Sequence, residues 1–384
     1  MTGIAHRLTA RLPDDNIYRT PPTAPTPGPD MQLSLKPDLE EARARWRAFW
    51  QHDLIKRPCT TVTCPRDGAG PIADRIYPIR PDHDFNAILD HEEQRLDATY
   101  FGGDALPFFI PSFGPDQLAA FVGARLEYSP SSSVTSWSVP FVESWQDALP
   151  LQLGAANNTW QRMIDLVTLA AERGEGRYLV GVLDLHSNFD WLAAIRDPQE
   201  VCMDLLDCPA AVRRAMGNVR ALYLDVYNTL YQVGRMKQRG TIGTLPYYCE
   251  QPYALTQCDF ACLLSPPQFN KFVLPALEDE WQFLDHSIYH FDGPVALQHF
   301  DTIAAAPDLD GIQWVPGAGG KPMIAWMDLL RKIQAAGKSV YVGCTPDELK
   351  VYHRELKPNL VLYDVAAKNQ QEADEVLRWL ENNT

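Results

Sequence analysis

The last third of the chain repeats one alternation: a short apolar run, a turn, an amphipathic helical pattern, then another apolar run. The runs Ser287–His290, Gly311–Val315, Ser339–Gly343 and Leu360–Val365 are each closed by a Gly, Pro or polar cluster, as strands are. Successive runs begin about 20–28 residues apart, which is enough chain for the helical crossover that joins two parallel strands. The spacing therefore predicts a parallel α/β architecture. Further runs at Thr60–Cys64, Leu106–Pro111, Tyr178–Leu185 and Thr241–Tyr248 complete eight strand candidates in 384 residues. That number favours a closed (β/α)₈ TIM barrel over an open doubly wound sheet. No GxGxxG follows a strand candidate. The run Gly317-Ala318-Gly319-Gly320 lacks the Lys-Ser/Thr of a phosphate-binding loop, so a nucleotide site is not expected there.

Helices are marked by periodicity and by their ends. Leu39, Ala42, Trp46, Phe49 and Trp50 keep helical spacing. A broad apolar stripe runs through Pro209–Val233, and Ser265-Pro266-Pro267 opens a helix to Phe283 with a Ser cap and a first-turn Pro. Helices are also expected over Pro322–Ala336, Thr345–Leu356 and Gln370–Glu381. Residues 1–38 differ: Pro21, Pro22, Pro25, Pro27 and Pro29 crowd a stretch with little to bury. The expected organisation is an extended Pro-rich arm over 1–38 and a single barrel domain over 39–384.

Acids outnumber bases 49 to 34, for a net charge of −15. Such a chain is a poor general binder of phosphate backbones, so nucleic acid is not an expected partner. No run is long and apolar enough for a membrane span, and residues 1–16 lack the apolar core of a secretory signal. The cytoplasm is the expected location. The eight cysteines show no CxxC pair and no disulfide-framework spacing.

In a barrel the chemistry sits at the C-terminal ends of the strands. The third candidate ends in Asp184, His186, Asn188 and Asp190, and Asp184 and His186 are candidates for catalysis. Asp259, in the region read as a loop after the fourth, is a third. The fifth ends in His290 and Asp292, whose i,i+2 spacing puts both on one face, a pattern suited to a divalent metal or to a base and its orienter. Cys344 precedes the helix-opening Thr345-Pro346, where a thiol pKa is expected to fall. His290, Asp292 and Cys344 together make an expected metal set. Trp191, Tyr248, Gln313 and Trp314 are expected to bind substrate, the aromatics as flat walls.

The run from Cys262 through Ser265-Pro-Pro-Gln-Phe269-Asn-Lys-Phe272-Val-Leu-Pro275, with Asp259 before it, resembles the Ser-Pro-x-x-Phe-x-x-Phe-x-x-Pro helix start of the uroporphyrinogen decarboxylase superfamily. His290-Phe-Asp292-Gly293 stands where that superfamily's cobalamin-linked methyltransferases carry His-x-Cys-Gly. The resemblance covers roughly Tyr178 to the C-terminus. It implies a TIM barrel and two activities, tetrapyrrole decarboxylation and zinc-dependent methyl transfer to or from a corrinoid protein. The chain departs from both. Asp292 replaces the first zinc-ligating Cys, and Asp364 stands near the last strand in place of the second. No Arg-rich segment near the first strand matches the clamp for the decarboxylase's propionates.

The first expectation is thus a methyltransferase moving a methyl group between a small substrate and a corrinoid protein, with zinc in the site and cobalamin on the partner. The second is a metal-independent decarboxylase or other lyase on the same barrel, using Asp184 or Asp292. The third is a non-catalytic ligand-binding barrel whose arm docks on a second copy as a homodimer.

Overall fold

The computed structural model describes residues 31–129, 135–154 and 156–384. Residues 1–30 of the proline-rich arm lie outside the described residues. Residues 31–38 lie against the body. Leu33 is buried, and the Lys36 ammonium, 1% exposed, donates to the carbonyls of Phe101 (3.0 Å) and Gly103 (2.7 Å).

The strands are β1 (Cys59–Pro65), β2 (Thr99–Gly103), β3 (Phe108–Phe109), β4 (Arg125–Tyr128), β5 (Ser136–Val139), β6 (Leu179–Val180), β7 (Thr241–Ile242), β8 (Tyr248–Cys249), β9 (Tyr253–Gln257), β10 (His286–Asp292), β11 (Gly311–Val315), β12 (Ser339–Cys344) and β13 (Val361–Ala366). Seven form one sheet in the order β2-β1-β13-β12-β11-β10-β9, and all but β2 run parallel. This is the parallel-rich α/β architecture that the crossover spacing predicts. The continuous ladder stops at β2 and β9, and three short pairs stand apart from it: β3 with β6, β4 with β5, and β7 with β8. Single backbone bonds extend the pairing: Leu179 N–H to Pro107 C=O, Gly181 to Phe109, and Val182 to Ile242.

Two readings of strands need correction. Thr241–Tyr248 is not one strand but a hairpin of β7 and β8, broken by Gly243 and Pro246, where glycine and proline favour a turn. The stretch read as a loop before Asp259 contains β9, which pairs with β10 in register His290↔Gln257.

Side chains alternate across the sheet and sort into two cores. Cys59, Phe108, Leu179, Ile242, Tyr253, Leu255, Ile288 and Leu362 meet in one buried cluster. Their strand neighbours Val62, Val180, Ala254, Tyr289, Ile312, Val340 and Val361 face the larger core shared with the helices. The first cluster collects residues from β1, β13, β10 and β9 of the ladder and from the short strands.

The helix Leu39–Trp50 covers this cluster beside the N-terminal ends of the parallel strands. Trp46 and Phe49 belong to it, and the Trp46 and Tyr247 rings lie 6.0 Å apart. Arg43 Nε donates to Glu250 Oε1 (2.8 Å), Arg47 Nε donates to Glu250 Oε2 (2.9 Å), and Arg57 Nη1 donates to Asp104 Oδ2 (2.6 Å). With that end occupied, the C-terminal strand ends are left for a site.

The expected helix at Ser265–Phe283 is present but not uniform. A Ser265/Gln268 capping box starts it, a π-helical turn spans Phe269–Val273, and the α-helix Leu274–Phe283 follows. Pro275 has no N–H to give to the fourth residue back, and its ring crowds that carbonyl, which accounts for the widened turn. Among the described residues, no helix is long and apolar enough to cross a membrane.

Candidate functional site

The segment after β6 turns sharply at Asn188, whose φ of 48° is a left-handed value that Asn tolerates better than most residues. Its side chain holds the turn: Nδ2 donates to the Gln257 carbonyl (2.9 Å), and Oδ1 accepts from the Phe189 N–H (2.6 Å). Ser187 Oγ donates to Glu280 Oε1 (2.6 Å), and Gln117 Nε2 to the Asp184 carbonyl (2.8 Å). The turn presents Asp184 and His186 together, with His186 Nε2 3.2 Å from Asp184 Oδ2. Asp184 Oδ1 is buried and has no hydrogen-bond partner among the described residues.

Asp259 enters from the turn after β9. Asp190 pins that turn by accepting the N–H groups of Asp259 (2.9 Å) and Phe260 (2.8 Å) on its two oxygens. His290 and Asp292 come from β10, on the face opposite Tyr289 and Phe291. Register places Gln257 and Gln313 beside His290 on the two adjacent strands. Gln313 Oε1 lies 2.6 Å from His290 Nδ1. The amide oxygen only accepts, so the contact is a hydrogen bond donated by Nδ1–H, and it orients the ring and its Nε2.

Two sets of three donors have ligand atoms within 4.8 Å of one another: Asp259, His290 and Asp292, and His186, Asp190 and Asp259. Asp259 is common to both. Beside them lies a cleft of about 560 Å³, lined by His186, Asp190, Asp259, Trp137 and Leu263 among others. A smaller cavity of about 160 Å³ reaches Asp184 and is also lined by Arg75, Tyr77, Ser112 and Thr244.

The charges follow from this crowding. Burial favours neutral His186, but the carboxylates of Asp184, Asp190 and Asp259 outweigh it and push the imidazole up to about 10. Burial and the neighbouring Asp259 raise Asp190 to about 6. Asp259 is raised too, by burial first, with Asp292 and Asp184 adding to it and the two histidines opposing.

Asp184, His186, Asp259, His290, Asp292 and Gln313 are therefore brought to one end of the sheet, as their strand-end positions lead one to expect. Cys344 is not in the metal set. It ends β12 in register with Val365, and among the described residues neither donor group includes it. Nor is its pKa depressed. Burial pushes the thiol up to about 12, and Glu348 and Asp364 add to that. The following helix spends its first free N–H groups on a Thr345/Glu348 capping box.

Three of the expected substrate walls are structural. Trp314 faces the helices, its ring 5.8 Å from Phe291 and 4.8 Å from Trp326. Trp191 is 1% exposed in the helix Asn188–Arg196. Tyr248 sits in the cluster under the Leu39–Trp50 helix and donates to the Arg239 carbonyl (3.1 Å). None of the three lines either cavity.

Sequence reasoning missed Arg75, in the segment after β1, whose guanidinium lies 5.2 Å over the Phe108 ring. No local pattern marks it. It also missed Glu280, for which a signal existed. The spacing of Ala276, Leu277, Glu280 and Trp281 puts a carboxyl on the buried face of its helix.

No protein-family model matches the chain, and no curated protein does. Among solved structures, it is similar to a B12-independent methionine synthase from Shewanella sp. W3-18-1, solved in complex with selenomethionine. The TM-score is 0.45 and the identity 10%, over 85% of this chain and 95% of that one. Similarity at that level carries no argument about chemistry.

Proposed function

We propose that the chain is a metal-assisted methyltransferase on a closed (β/α)₈ barrel. It acts on a small substrate in the cleft beside Asp259, with a corrinoid protein as the other methyl carrier. The carrying observation is the convergence of Asp259, His290 and Asp292, with Gln313 fixing the far nitrogen of His290. Closure is supported by the one interior cluster that β1, β3, β6, β7, β9, β10 and β13 all enter. The methyl chemistry and the corrinoid partner rest on the sequence resemblance alone.

One imidazole and two carboxylates leave a coordination position open, a set that suits zinc and also harder divalent ions. A divalent cation held there would polarise a substrate heteroatom. The chain's own residues bind and orient. His186, pushed toward its charged form by the surrounding carboxylates, lines the cleft and would attract an anionic substrate group, and Trp137 and Leu263 supply apolar wall. Asp190 holds the Asp259 turn.

Elemental analysis of protein reconstituted with zinc and desalted tests the centre. One ion per chain is expected in the wild type, lost in His290→Ala and retained in Cys344→Ala. A wild type that takes up no ion, or a His290→Ala variant that keeps it, would overturn the proposal.

A second reading, a metal-independent decarboxylase, is favoured by the small cavity. There Asp184, whose buried Oδ1 has no hydrogen-bond partner among the described residues, and Arg75 line the same space. Arg75 could hold one substrate carboxylate. Loss of another as carbon dioxide leaves an electron pair on carbon, and a proton from the Asp184/His186 pair quenches it. Carbon dioxide release that persists in His290→Ala and under chelator would select this reading over the first.

A further inference from the structure

A separate cavity of about 410 Å³ lies in the helical layer, between the helix Pro209–Val233 and the π-turn and helix that follow Ser265. Two residues of its inner wall each carry one buried polar atom with no hydrogen-bond partner among the described residues. Glu280 is 3% exposed and its Oε2 has no hydrogen-bond partner. Tyr223 is 2% exposed and its hydroxyl has none either. An unpaired polar group costs free energy when buried, so two such groups on residues that line one cavity point to a place where something else completes them. Burial also raises the Glu280 carboxyl to about 8, so it is largely protonated at neutral pH and able to donate.

The outer lining is cationic. Arg213, Arg220 and Lys271 line the cavity, against Asp279, which pairs with Arg220. Arg213 and Lys271 are exposed and make no ion pair among the described residues. Lys271 instead lies 4.9 Å over the Phe272 ring. Positive lining on a chain of net charge −15 is a local reversal. Between the two ends the walls are apolar: Met216, Leu224, Phe272 and Ala276. Gly217 opens onto this space, since a Cβ added there meets no heavy atom within 4 Å.

We infer that this cavity binds a small amphipathic organic acid, with its carboxylate at Arg213 and Lys271, its apolar body along the walls, and a hydrogen-bonding group at its far end on Glu280 and Tyr223. The site does not depend on the metal centre, although Glu280 also bonds Ser187, next to His186.

Titration calorimetry on metal-free full-length protein tests it, with 6-hydroxyhexanoate, hexanoate and hexan-1-ol as probes. The hydroxy acid is expected to bind about tenfold more tightly than hexanoate, one good buried hydrogen bond, and hexanol more weakly than either. Tyr223→Phe removes only a hydroxyl without a partner, so the fold should stand while the preference for the hydroxy acid shrinks toward unity. Gly217→Leu fills the space and should weaken all probes by at least about tenfold. No binding of the hydroxy acid to wild type, or unchanged binding in Gly217→Leu, would overturn the inference. Using metal-free protein separates that failure from failure of the metal centre.

Discussion

His290 stands between two glutamines, and only Gln313 bonds its ring. Gln313→Leu keeps the size and removes that orienter, so zinc affinity should fall about 10–100-fold, read by competition with a chromogenic chelator. An unchanged affinity would mean that Gln313 merely packs. Glu280 gives a pH prediction. The native chain holds this proton up to about 8, whereas an unfolded glutamate releases it above about 4.3. Between those values the native state binds more protons, so stability falls as pH rises, by up to about 1.4 kcal/mol per pH unit. Urea midpoints should therefore drop more between pH 5 and pH 8 in the wild type than in Glu280→Gln, and parallel declines would contradict the assignment. Cys344, with its thiol raised by burial, should react with Ellman's reagent at pH 8 more slowly than the exposed Cys262. Faster loss of Cys344 by mass mapping would count against its placement. At this scale the sequence was partly legible. Strand-end position brought Asp184, His186, His290 and Asp292 into view as neighbours, but the raised thiol pKa of Cys344 comes from burial and from Glu348 and Asp364, which spacing does not encode.

Among the elements, β11 occupies the predicted Gly311–Val315 and the long helix the predicted Pro209–Val233, because both have strong periods and clear end signals. β9 was missed because Tyr253–Gln257 closely follows another β segment and begins after Pro252. The omission hid the strand that brings Asp259 to His290. Trp314 could have been placed correctly from alternation alone, since it adjoins Gln313 on the same strand and the two must face opposite sides. The Leu39–Trp50 helix carries a further prediction. Glu250 is 5% exposed and Arg43 1%, and Arg47 shares the same carboxylate. Glu250→Ala leaves the Arg43 charge buried without that partner and should cost about 3–5 kcal/mol, measured by urea unfolding. A loss within experimental error would show that aromatic packing alone docks the helix.

For the whole molecule, the net charge acquires a location. Arg43, Arg45 and Arg57 are largely buried, tied to the equally buried Glu250 and Asp104, so these charges offset one another inside and the acidic excess lies elsewhere on the chain. Moderate sodium chloride should raise the urea midpoint by screening that repulsion, and a midpoint that falls with salt would place the dominant charge pairs on the surface instead. The contact between Arg43 and Glu250 also spans 207 positions of chain. On a ribosome adding ~5–20 residues per second, the aromatic face of Trp46, Phe49 and Trp50 would wait ~10–40 s for its seat to be made. During that interval the nascent chain carries an uncovered apolar ridge, which gives chaperones a binding site early in synthesis.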